Sequence, residues 1–545
     1  MGQSRFSVFS ALSVPTLYPA KENGRSILRI VVPIAIVIFL PLFIAPFNDD
    51  NELFQGMGWL YHAYGRINYI SLWDQNFPGI TQFHSLIISL FGTSPWPNRL
   101  IDVGAHLILT ILLSLLVQRL YGRKAGIAVG IIYPFFHMLG GFWAVGQRDD
   151  YGSLLILIAT TIYLYLYRTP KQISTVKTSA LFFICGVLMA LAINFRPTQG
   201  LFALSFAVLV LVYGPKRWLS FFSYVLGGVL MWVIILWPQL TTEGGLHNFY
   251  INAILFNTLV FNSSRYRLSF LTQLVRPREI LFDLLIIFWC IRYQKLYGKV
   301  TVSDLWQKIK RAPMEVVLFA LYVLCAKGGV FIMGRGYIAH YHPVIIMGSI
   351  FLAILIVPYI DQLRSRRTLQ YGLVGLFIVL LLSIYSGTRL PAYAKNIVTG
   401  KGVSLDSLYV SVDGWELVYK QPTDYILAHG AQGHRLEVYG WSPGLYWRTG
   451  CNSSTRFPFF LPLIMKNNNG EFADFQKAWQ KEYIDSLVQS PPKFLVIGKN
   501  SFGFGIFYYQ QVAELVDSLP GLRSLMNSDY KLDTTMKWWD IYEHR

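Results

Sequence analysis

Long apolar runs constrain this chain more than any other feature of its sequence. The first run occupies 27–46, and others follow at short intervals up to position 387. About 20 apolar residues are needed to cross the roughly 30 Å hydrocarbon layer of a bilayer. Charged residues make up only 14% of the chain, against about 25% in a typical soluble protein. The sequence therefore predicts a polytopic α-helical membrane protein with about 11 transmembrane helices.

The charges of the connecting loops orient the predicted spans. Lys and Arg concentrate in short loops on the cytoplasmic side of a membrane, and here every second loop is basic. We expect a cytoplasmic N-terminus, a multi-pass chain in the inner (plasma) membrane, and two long outer segments at 47–97 and 238–277. The predicted spans are 27–46, 99–118, 125–144, 151–167, 178–194, 199–213, 218–237, 279–292, 313–333, 341–360 and 370–387.

The net charge of +18 has the same origin. In a soluble protein such a charge would suggest a nucleic-acid partner. Because the basic residues here lie in the predicted cytoplasmic loops, we expect membrane lipid and no nucleic acid as a partner.

The chain changes character after residue 389. Charges return and the apolar runs shorten, which indicates a folded domain outside the membrane. Strands are predicted at Arg435–Tyr439, Lys493–Ile497 and Met536–Tyr542, with helices at Glu471–Gln489 and Tyr509–Leu525. We therefore predict a transmembrane domain at 1–389 and an extracytoplasmic α/β domain at 390–545 that is large enough for a core of its own.

An acidic cluster follows the first span directly. It contains Asp49, Asp50 and Glu52. Carboxylates at a membrane interface ionise easily, and can act as a general base toward a hydroxyl or bind a divalent cation. The alternative is a solvated loop, and composition alone favours that alternative.

Three arginines lie at the predicted outer ends of spans, where basic residues are uncommon. They are Arg148, Arg196 and Arg335. A guanidinium group matches phosphate oxygens in a two-pronged way, so a lipid phosphate is one candidate partner. A neighbouring carboxylate is the structural alternative: Asp149 for Arg148, and Asp49 or Asp150 for Arg196 and Arg335. Near Arg335, the imidazoles of His340 and His342 are expected to form interfacial hydrogen bonds rather than to bind a metal.

Two further acidic residues lie within or near spans. Asp102 and Asp283 are both predicted close to the outer end of a helix. There a side chain can reach toward water, which lowers the free-energy penalty of a charge in the membrane. We therefore leave both outside the predicted site.

The order of several short motifs resembles one enzyme class. An acidic pair, Asp49-Asp50, follows the first span, and a segment with spaced glycine, tyrosine, aspartate and proline lies downstream. The further motifs are Gly65, Tyr69, Asp74, Pro78 and Gly79, then Gln147-Arg148-Asp149, then His340-Tyr341-His342-Pro343, and in the tail 438–446 and 455–457. Together they resemble the GT-C class of polyprenyl-phosphate-dependent glycosyltransferases, within the group related to protein O-mannosyltransferases and aminoarabinose transferases.

The resemblance implies a reaction and assigns roles. Such enzymes transfer a sugar from a polyprenyl-phosphate donor to an extracytoplasmic acceptor, which is a lipid, a glycan or a protein, with inversion expected. A carboxylate of the first outer segment would be the base; the order Asp-Asp-Asn-Glu, where relatives often have Asp-Glu, leaves Asp49, Asp50 and Glu52 as candidates. Residues expected to bind substrate are Asp74, Arg148, Asp149, Arg196, Arg335, His340 and Tyr341. A divalent metal is a candidate cofactor, with no ligands assigned.

Two other functions compete with this one. A transporter or flippase of lipid-linked glycans would be expected to contain inverted repeats and broken spans near the membrane midplane. A subunit for glycan assembly or export would tolerate substitution of the acidic cluster. The chain contains no evident repeat, and its polar candidates gather at the predicted outer ends of spans, which favours the transferase.

Overall fold

The structure is a computed structural model of the chain. It describes residues 25–43, 47–141, 145–168, 173–262, 280, 282–285, 287, 314–334, 338–364, 367–386, 399–400, 415–499, 516–517 and 519–545. The predicted span 279–292 therefore lies mostly outside the described residues.

Helices account for most of the chain up to residue 386. They are α1 Arg25–Phe39, α2 Asp49–Tyr64, α3 Gly79–Phe91, α4 Pro95–Tyr121, α5 Arg123–Met138, α6 Arg148–Arg168, α7 Thr175–Phe195, α8 Gly200–Tyr213, α9 Arg217–Leu240, α10 Gly245–Phe249, α11 Met314–Met333, α12 His342–Arg364 and α13 Arg367–Ser386. Short 3-10 turns at Leu40–Phe43, Pro197–Gln199 and Ile338–Tyr341 extend or connect them, and wider π-helical turns at Tyr250–Leu255 and Asn257–Phe261 follow α10.

Among the residues that the structure describes, five helical segments are long and apolar enough to cross a membrane. They are Ser26–Phe43, Pro95–Tyr121, Arg148–Arg168, Thr175–Phe195 and Arg217–Leu240. Shorter apolar helices occupy Gly79–Phe91, Pro197–Tyr213, Val317–Met333, His342–Val357 and Gln370–Ile384. The predicted mostly helical membrane architecture is therefore confirmed, whereas the number of 11 spans and their orientation stay predictions.

The segment 47–97, predicted to lie outside the membrane, is folded rather than loose. α2 begins at Asp49, where the side chain of Asn48 caps the helix by accepting a hydrogen bond from the backbone N–H of Asn51 at 3.0 Å. It ends at Gly65, whose φ of 63° is a left-handed conformation that glycine adopts readily. The acidic cluster is thus the first turn of a helix, and the solvated-loop alternative is wrong because Glu52 is fully buried.

A five-stranded sheet forms the centre of the C-terminal region. Its strands are β1 Arg435–Tyr439, β2 Asn452–Ser453, β3 Phe494–Gly498, β4 Tyr530–Thr535 and β5 Trp539–His544, in the order β2-β1-β3-β5-β4. β1 is parallel to both β2 and β3, whereas β5 is antiparallel to β3 and β4. The helices are α14 Trp415–Ala428, α15 Gly444–Thr449, α16 Leu461–Ile464, α17 Asp474–Gln489 and α18 Leu522–Asp529.

The predicted strands at Arg435–Tyr439 and Lys493–Ile497 and the helix at Glu471–Gln489 are confirmed within a few residues. The predicted final strand is shifted to Trp539–His544, and the sequence analysis missed β4, which pairs with it as a hairpin. Most of the predicted helix at Tyr509–Leu525 lies outside the described residues; α18 begins at Leu522.

The C-terminal region shares its hydrophobic core with the outer segments. Trp73, between α2 and α3, is fully buried and packs edge-on against Phe256, Phe459 and Trp479, with ring centroids 5.1–5.7 Å apart. One buried cluster thus runs from α2 through the π-helical segment into the sheet. The division at residue 389 stays a prediction about the chain, but the two parts are joined by apolar packing.

An ion pair between the buried carboxylate of Glu52 and the partly exposed guanidinium of Arg448 strengthens this contact. The Nη2 of Arg448 lies 2.6 Å from the Oε1 of Glu52, and the indole nitrogen of Trp447 donates to Oε2 at 3.1 Å. A Cβ added at Gly444 would lie 2.3 Å from the Oε2 of Glu52, so only glycine fits there without displacing the carboxylate. The side chain of Glu52 therefore docks α2 onto α15.

Removing one partner of this pair should loosen the docking. In Arg448→Met the fully buried carboxylate of Glu52 loses its counter-charge, and the free energy of unfolding should fall by about 2–4 kcal/mol. Glu52→Gln leaves only the partly exposed guanidinium of Arg448 unpaired and should lower the free energy of unfolding by less. Thermal unfolding of the purified protein in detergent measures this. The control is Lys481→Met, which breaks an exposed ion pair with Asp485 and should change little. An unchanged melting temperature together with lost transfer would instead support a catalytic role for Glu52.

Candidate functional site

The candidate site lies where three elements meet. The first turn of α2, the start of α6 and the end of α7 converge beside the loop at 65–78, beneath the C-terminal region. Asp50, Arg148, Asp149 and Arg196, all predicted site residues, lie at these helix ends.

Two asparagines hold α2 against the turn before α6. The side-chain nitrogens of Asn48 and Asn51 both donate to the backbone carbonyl of Val145, at 2.9 and 2.8 Å. The next residue, Gly146, has a φ of 62°, and a Cβ there would lie 2.5 Å from the Oδ1 of Asn51. Asp50, half-buried in the same turn of α2, interacts electrostatically with both Arg148 and Asp149.

Arg148 is held by the first outer segment. Its guanidinium donates a hydrogen bond to the Oδ1 of Asn76 and lies over the ring of Phe54, 5.2 Å from the centroid. Its Nε has no hydrogen-bond partner among the described residues. One edge of the guanidinium is thus anchored while another remains available for an anion.

Arg196 lies at the end of α7 and is 3% exposed. Its Nε is 3.4 Å from the Oδ1 of Asp149, which is longer than a charge-assisted hydrogen bond of about 2.7–2.9 Å. Within the described part of the chain, neither Nε nor Nη2 has a hydrogen-bond partner, and the Oδ2 of Asp149 has none either. A buried cation with unused donors fits a bound anionic group.

Asp74 organises the loop that supports Arg148. Its carboxylate is fully buried and accepts hydrogen bonds from the backbone and side chain of Asn76 at 2.8 and 2.9 Å, from Asn68 at 3.1 Å and from Thr81 at 3.2 Å. Burial raises the pKa of Asp74 to about 6, although these donors oppose the rise. Asp74 therefore supports the site through its hydrogen bonds to Asn76, and its charge also interacts with that of Arg148.

The remaining predicted residues divide into three groups. His340 lines a small cavity together with Asp149, Thr198 and Pro343, and Tyr341 is buried beside it in the same 3-10 turn. Arg335 and the side chain of Asp49 lie outside the described residues. Glu52, one turn further into α2 than Asp49, faces the C-terminal region instead of this cavity.

A second polar cluster lies directly behind the site. Asp102, predicted to reach toward the interface, is instead completely buried, and that expectation is wrong. It lies 3.4 Å from the Nε2 of His106, which is also 3.4 Å from the Oδ2 of Asp150. Asp283, by contrast, is partly exposed and pairs with Lys327 at 2.8 Å.

Sequence reasoning missed this cluster because its members come from four helices. One signal was available. Asp102 and His106 are four residues apart, which places them on one face of a helix. The adjacent carboxylates Asp149 and Asp150 also separate: Asp149 faces Arg196, and Asp150 faces His106 and His342.

Comparisons with known proteins agree with this architecture. Residues 77–241 match the sequence model of the family described as dolichyl-phosphate-mannose-protein mannosyltransferase. The crystal structure of ArnT from Cupriavidus metallidurans bound to undecaprenyl phosphate has a TM-score of 0.54 at 14% identity, and covers 96% of this chain and 98% of that chain. The same protein in the apo state has a TM-score of 0.51 at 13% identity, over 95% and 98%.

No curated protein sequence matches the chain. At such low identity the likeness to ArnT shows a shared fold. The family match and the shared fold together confirm the resemblance to GT-C transferases that the motifs indicated.

The raised pKa of Asp74 predicts a pH dependence of stability. Because the pKa is above the ordinary value of 3.8, the folded protein binds a proton more tightly than the unfolded chain. The stabilisation is complete below about pH 4 and is lost as the pH rises through about 6, by up to about 3 kcal/mol. Asp74→Asn, which is neutral throughout, should therefore gain stability relative to the wild type across this range. Melting curves between these pH values test this, and a difference that stays constant or reverses would contradict it.

Proposed function

We propose that the protein is an integral membrane glycosyltransferase that moves a sugar from a polyprenyl-phosphate donor to an extracytoplasmic acceptor. One observation carries the proposal. Two arginines with unused donors, Arg148 and Arg196, meet two carboxylates, Asp50 and Asp149, at the end of an apolar helix bundle. The family matched by residues 77–241 and the fold shared with ArnT support the same class of enzyme.

The arrangement suits displacement of a phosphate from the anomeric carbon. The acceptor hydroxyl would lose its proton to Asp50 as its oxygen forms the new bond to the sugar. The bond between the sugar and the phosphate oxygen breaks, and the electron pair leaves with the polyprenyl phosphate. Arg148 and Arg196 would stabilise the charge that develops on the departing phosphate, which is the step where fixed donors contribute most.

Asp50 is the preferred base among the three carboxylates. Glu52 is occupied by Arg448 and Trp447, and an acceptor would have to displace that pair to reach it. Asp50 is half-buried and close to both Arg148 and Asp149. Asp149 is paired with Arg196 and is proposed to position that arginine.

His340, Tyr341 and Arg335 are proposed to contact the donor. His340 lines the same cavity as Asp149, which would place an imidazole beside the phosphate or the sugar. Asp74 is proposed to act indirectly, by holding Asn76 against Arg148. A divalent cation stays a candidate cofactor of the transfer reaction, with no ligands assigned.

The orientation in the membrane is part of the proposal. The basic loops place the N-terminus in the cytoplasm, and therefore the helix ends of the site and the domain at 390–545 on the outer side of the plasma membrane. The lipid donor would then enter from the bilayer and the acceptor from outside. The transporter alternative has no support, because the family match and the fold both point to transferases.

Replacing the proposed base should stop transfer and spare donor binding. Asp50→Asn removes the proton acceptor but keeps the shape of the side chain, so the transfer rate should fall at least about 100-fold. The assay is transfer from polyprenyl-phosphate sugars by the protein in nanodiscs, with Asp49→Asn in parallel. Asp485→Asn, on the exposed side of α17, is the control. Full activity in Asp50→Asn would rule out this assignment, and loss of activity in Asp49→Asn alone would move it to Asp49.

Replacing a proposed phosphate ligand should weaken donor binding. Arg148→Ala removes the guanidinium and should raise the apparent Kd for polyprenyl phosphate about 10-fold or more, while Arg148→Lys should keep part of the affinity. Arg335→Ala is expected to act in the same direction. Binding to the protein in nanodiscs measures this, with Arg523→Ala, an exposed arginine of α18, as the control. An unchanged donor affinity in Arg148→Ala would count against the role.

A further inference from the structure

Five polar side chains converge behind the proposed catalytic groups, inside the helix bundle. Asp102 and His106 come from α4, His137 from the end of α5, Asp150 from α6 and His342 from the start of α12. None of them is more than 2% exposed. Two carboxylates buried together among apolar helices repel each other and lose their hydration. A positive charge bound between them would offset this loss of stability.

Direct hydrogen bonding does not satisfy this cluster. Within the described part of the chain, no hydrogen-bond partner is present for the Oδ1 of Asp102, the Nε2 of His106, the Oδ2 of Asp150 or the Nδ1 of His342. His137 is the clearest case, because neither of its ring nitrogens has a partner. Buried polar atoms of this kind point to a ligand that binds them.

The spacing of these atoms fits ligands of one ion. The Nε2 of His106 is 3.4 Å from both the Oδ1 of Asp102 and the Oδ2 of Asp150, and the Nδ1 of His342 is 3.3 Å from the Oδ1 of Asp150. Charge-assisted hydrogen bonds would be about 2.7–2.9 Å long. Ligand atoms at about 2.0–2.1 Å from a tetrahedral zinc ion are about 3.3–3.4 Å apart.

In His106 and His342, the ring nitrogen that points away from the carboxylates already has a hydrogen-bond partner. The hydroxyl of Tyr133 bridges the Nδ1 of His106 at 2.9 Å and the Nε2 of His342 at 3.0 Å. The second carboxylate oxygen of Asp102 accepts a hydrogen bond from the backbone N–H of Gly146 at 3.0 Å. Such second contacts orient the ligands of metal sites and leave the other ligand atoms free for the ion.

We propose that this cluster is a buried binding site for a divalent transition-metal ion of the zinc type. The Nε2 of His106 and carboxylate oxygens of Asp102 and Asp150 form its core, and His342 or His137 supplies the fourth donor. Nitrogen from each of the three histidines can meet within 4.8 Å, as can the donor atoms of Asp102, His106 and Asp150. Imidazole and carboxylate together suit zinc, and an ion of charge +2 neutralises the two carboxylates.

The ion would act as a positioning element for the site in front of it. It joins α4 and α6 to α12 or α5 and holds Asp150, the neighbour of Asp149. Through Asp102 and Gly146 it also supports the turn to which Asn48 and Asn51 donate. The inference is independent of the transfer reaction, and its tests do not rely on activity.

Metal content of the full-length protein provides the first test. The protein is purified in detergent with a tag free of histidine, and its metals are measured by mass spectrometry. We expect about one zinc ion per chain, and at least about a 10-fold loss in His106→Ala and in His342→Ala. His84→Gln is the matched control, because His84 is equally buried but lies on α3 outside the cluster; it should retain the ion.

A second measurement uses only the wild-type protein and therefore tests the proposal even if the variants fail to fold. X-ray absorption of zinc in the wild-type protein should show only nitrogen and oxygen ligands, with imidazole scattering, at about 2.0–2.1 Å. After removal by a chelator, added Zn²⁺ should restore the melting temperature. Wild-type protein that holds less than about a tenth of an ion per chain and gains no stability from Zn²⁺ would overturn the proposal. Zinc retained in His106→Ala would overturn it as well.

Discussion

The contact between α2 and the turn before α6 determines the rest of the proposed site. Two side-chain amides, from Asn48 and Asn51, converge on the single carbonyl of Val145. Both asparagines are almost fully buried, where a lost hydrogen bond leaves an unpaired amide and is expensive in free energy. The contact therefore defines one position for the first turn of α2, and with it the placement of Asp50 relative to Arg148 and Asp149.

Neighbouring acidic residues have different tasks because helix geometry points them in different directions. Asp50 and Glu52 are two positions apart in α2, so one approaches the arginines while the other enters the C-terminal region and meets Arg448. Asp149 and Asp150, at the start of α6, face Arg196 and His106 respectively. Residues one or two positions apart in a helix do not share a face. The acidic residues at the starts of α2 and α6 therefore reach three different places: the arginines of the proposed site, Arg448 in the C-terminal region, and the buried histidines.

The sequence predicted much of the fold and part of the site. Most predicted spans coincide with observed helices to within a few residues, because the backbone groups of a segment in a bilayer must form hydrogen bonds within that segment. Several strands of the C-terminal region were also recognisable from alternation and short apolar runs. The grouping of Arg148, Asp149 and Arg196 followed from their shared position at helix ends. The role of Glu52, the burial of Asp102 and the contribution of His106 and His137 did not follow, because each depends on which helix faces are adjacent.

The sequence by itself determined that this chain forms apolar helices with a mixed domain after them, and that acidic and basic groups gather at helix ends. These properties depend on local composition and periodicity, which can be read from each segment without knowing its neighbours in the fold. Only the tertiary structure decided which carboxylate meets an arginine, which docks the C-terminal region and which lies between His106 and His342. Such partners lie tens to hundreds of residues apart, as with Glu52 and Arg448, and they come together only when packing has set the rotation of each helix.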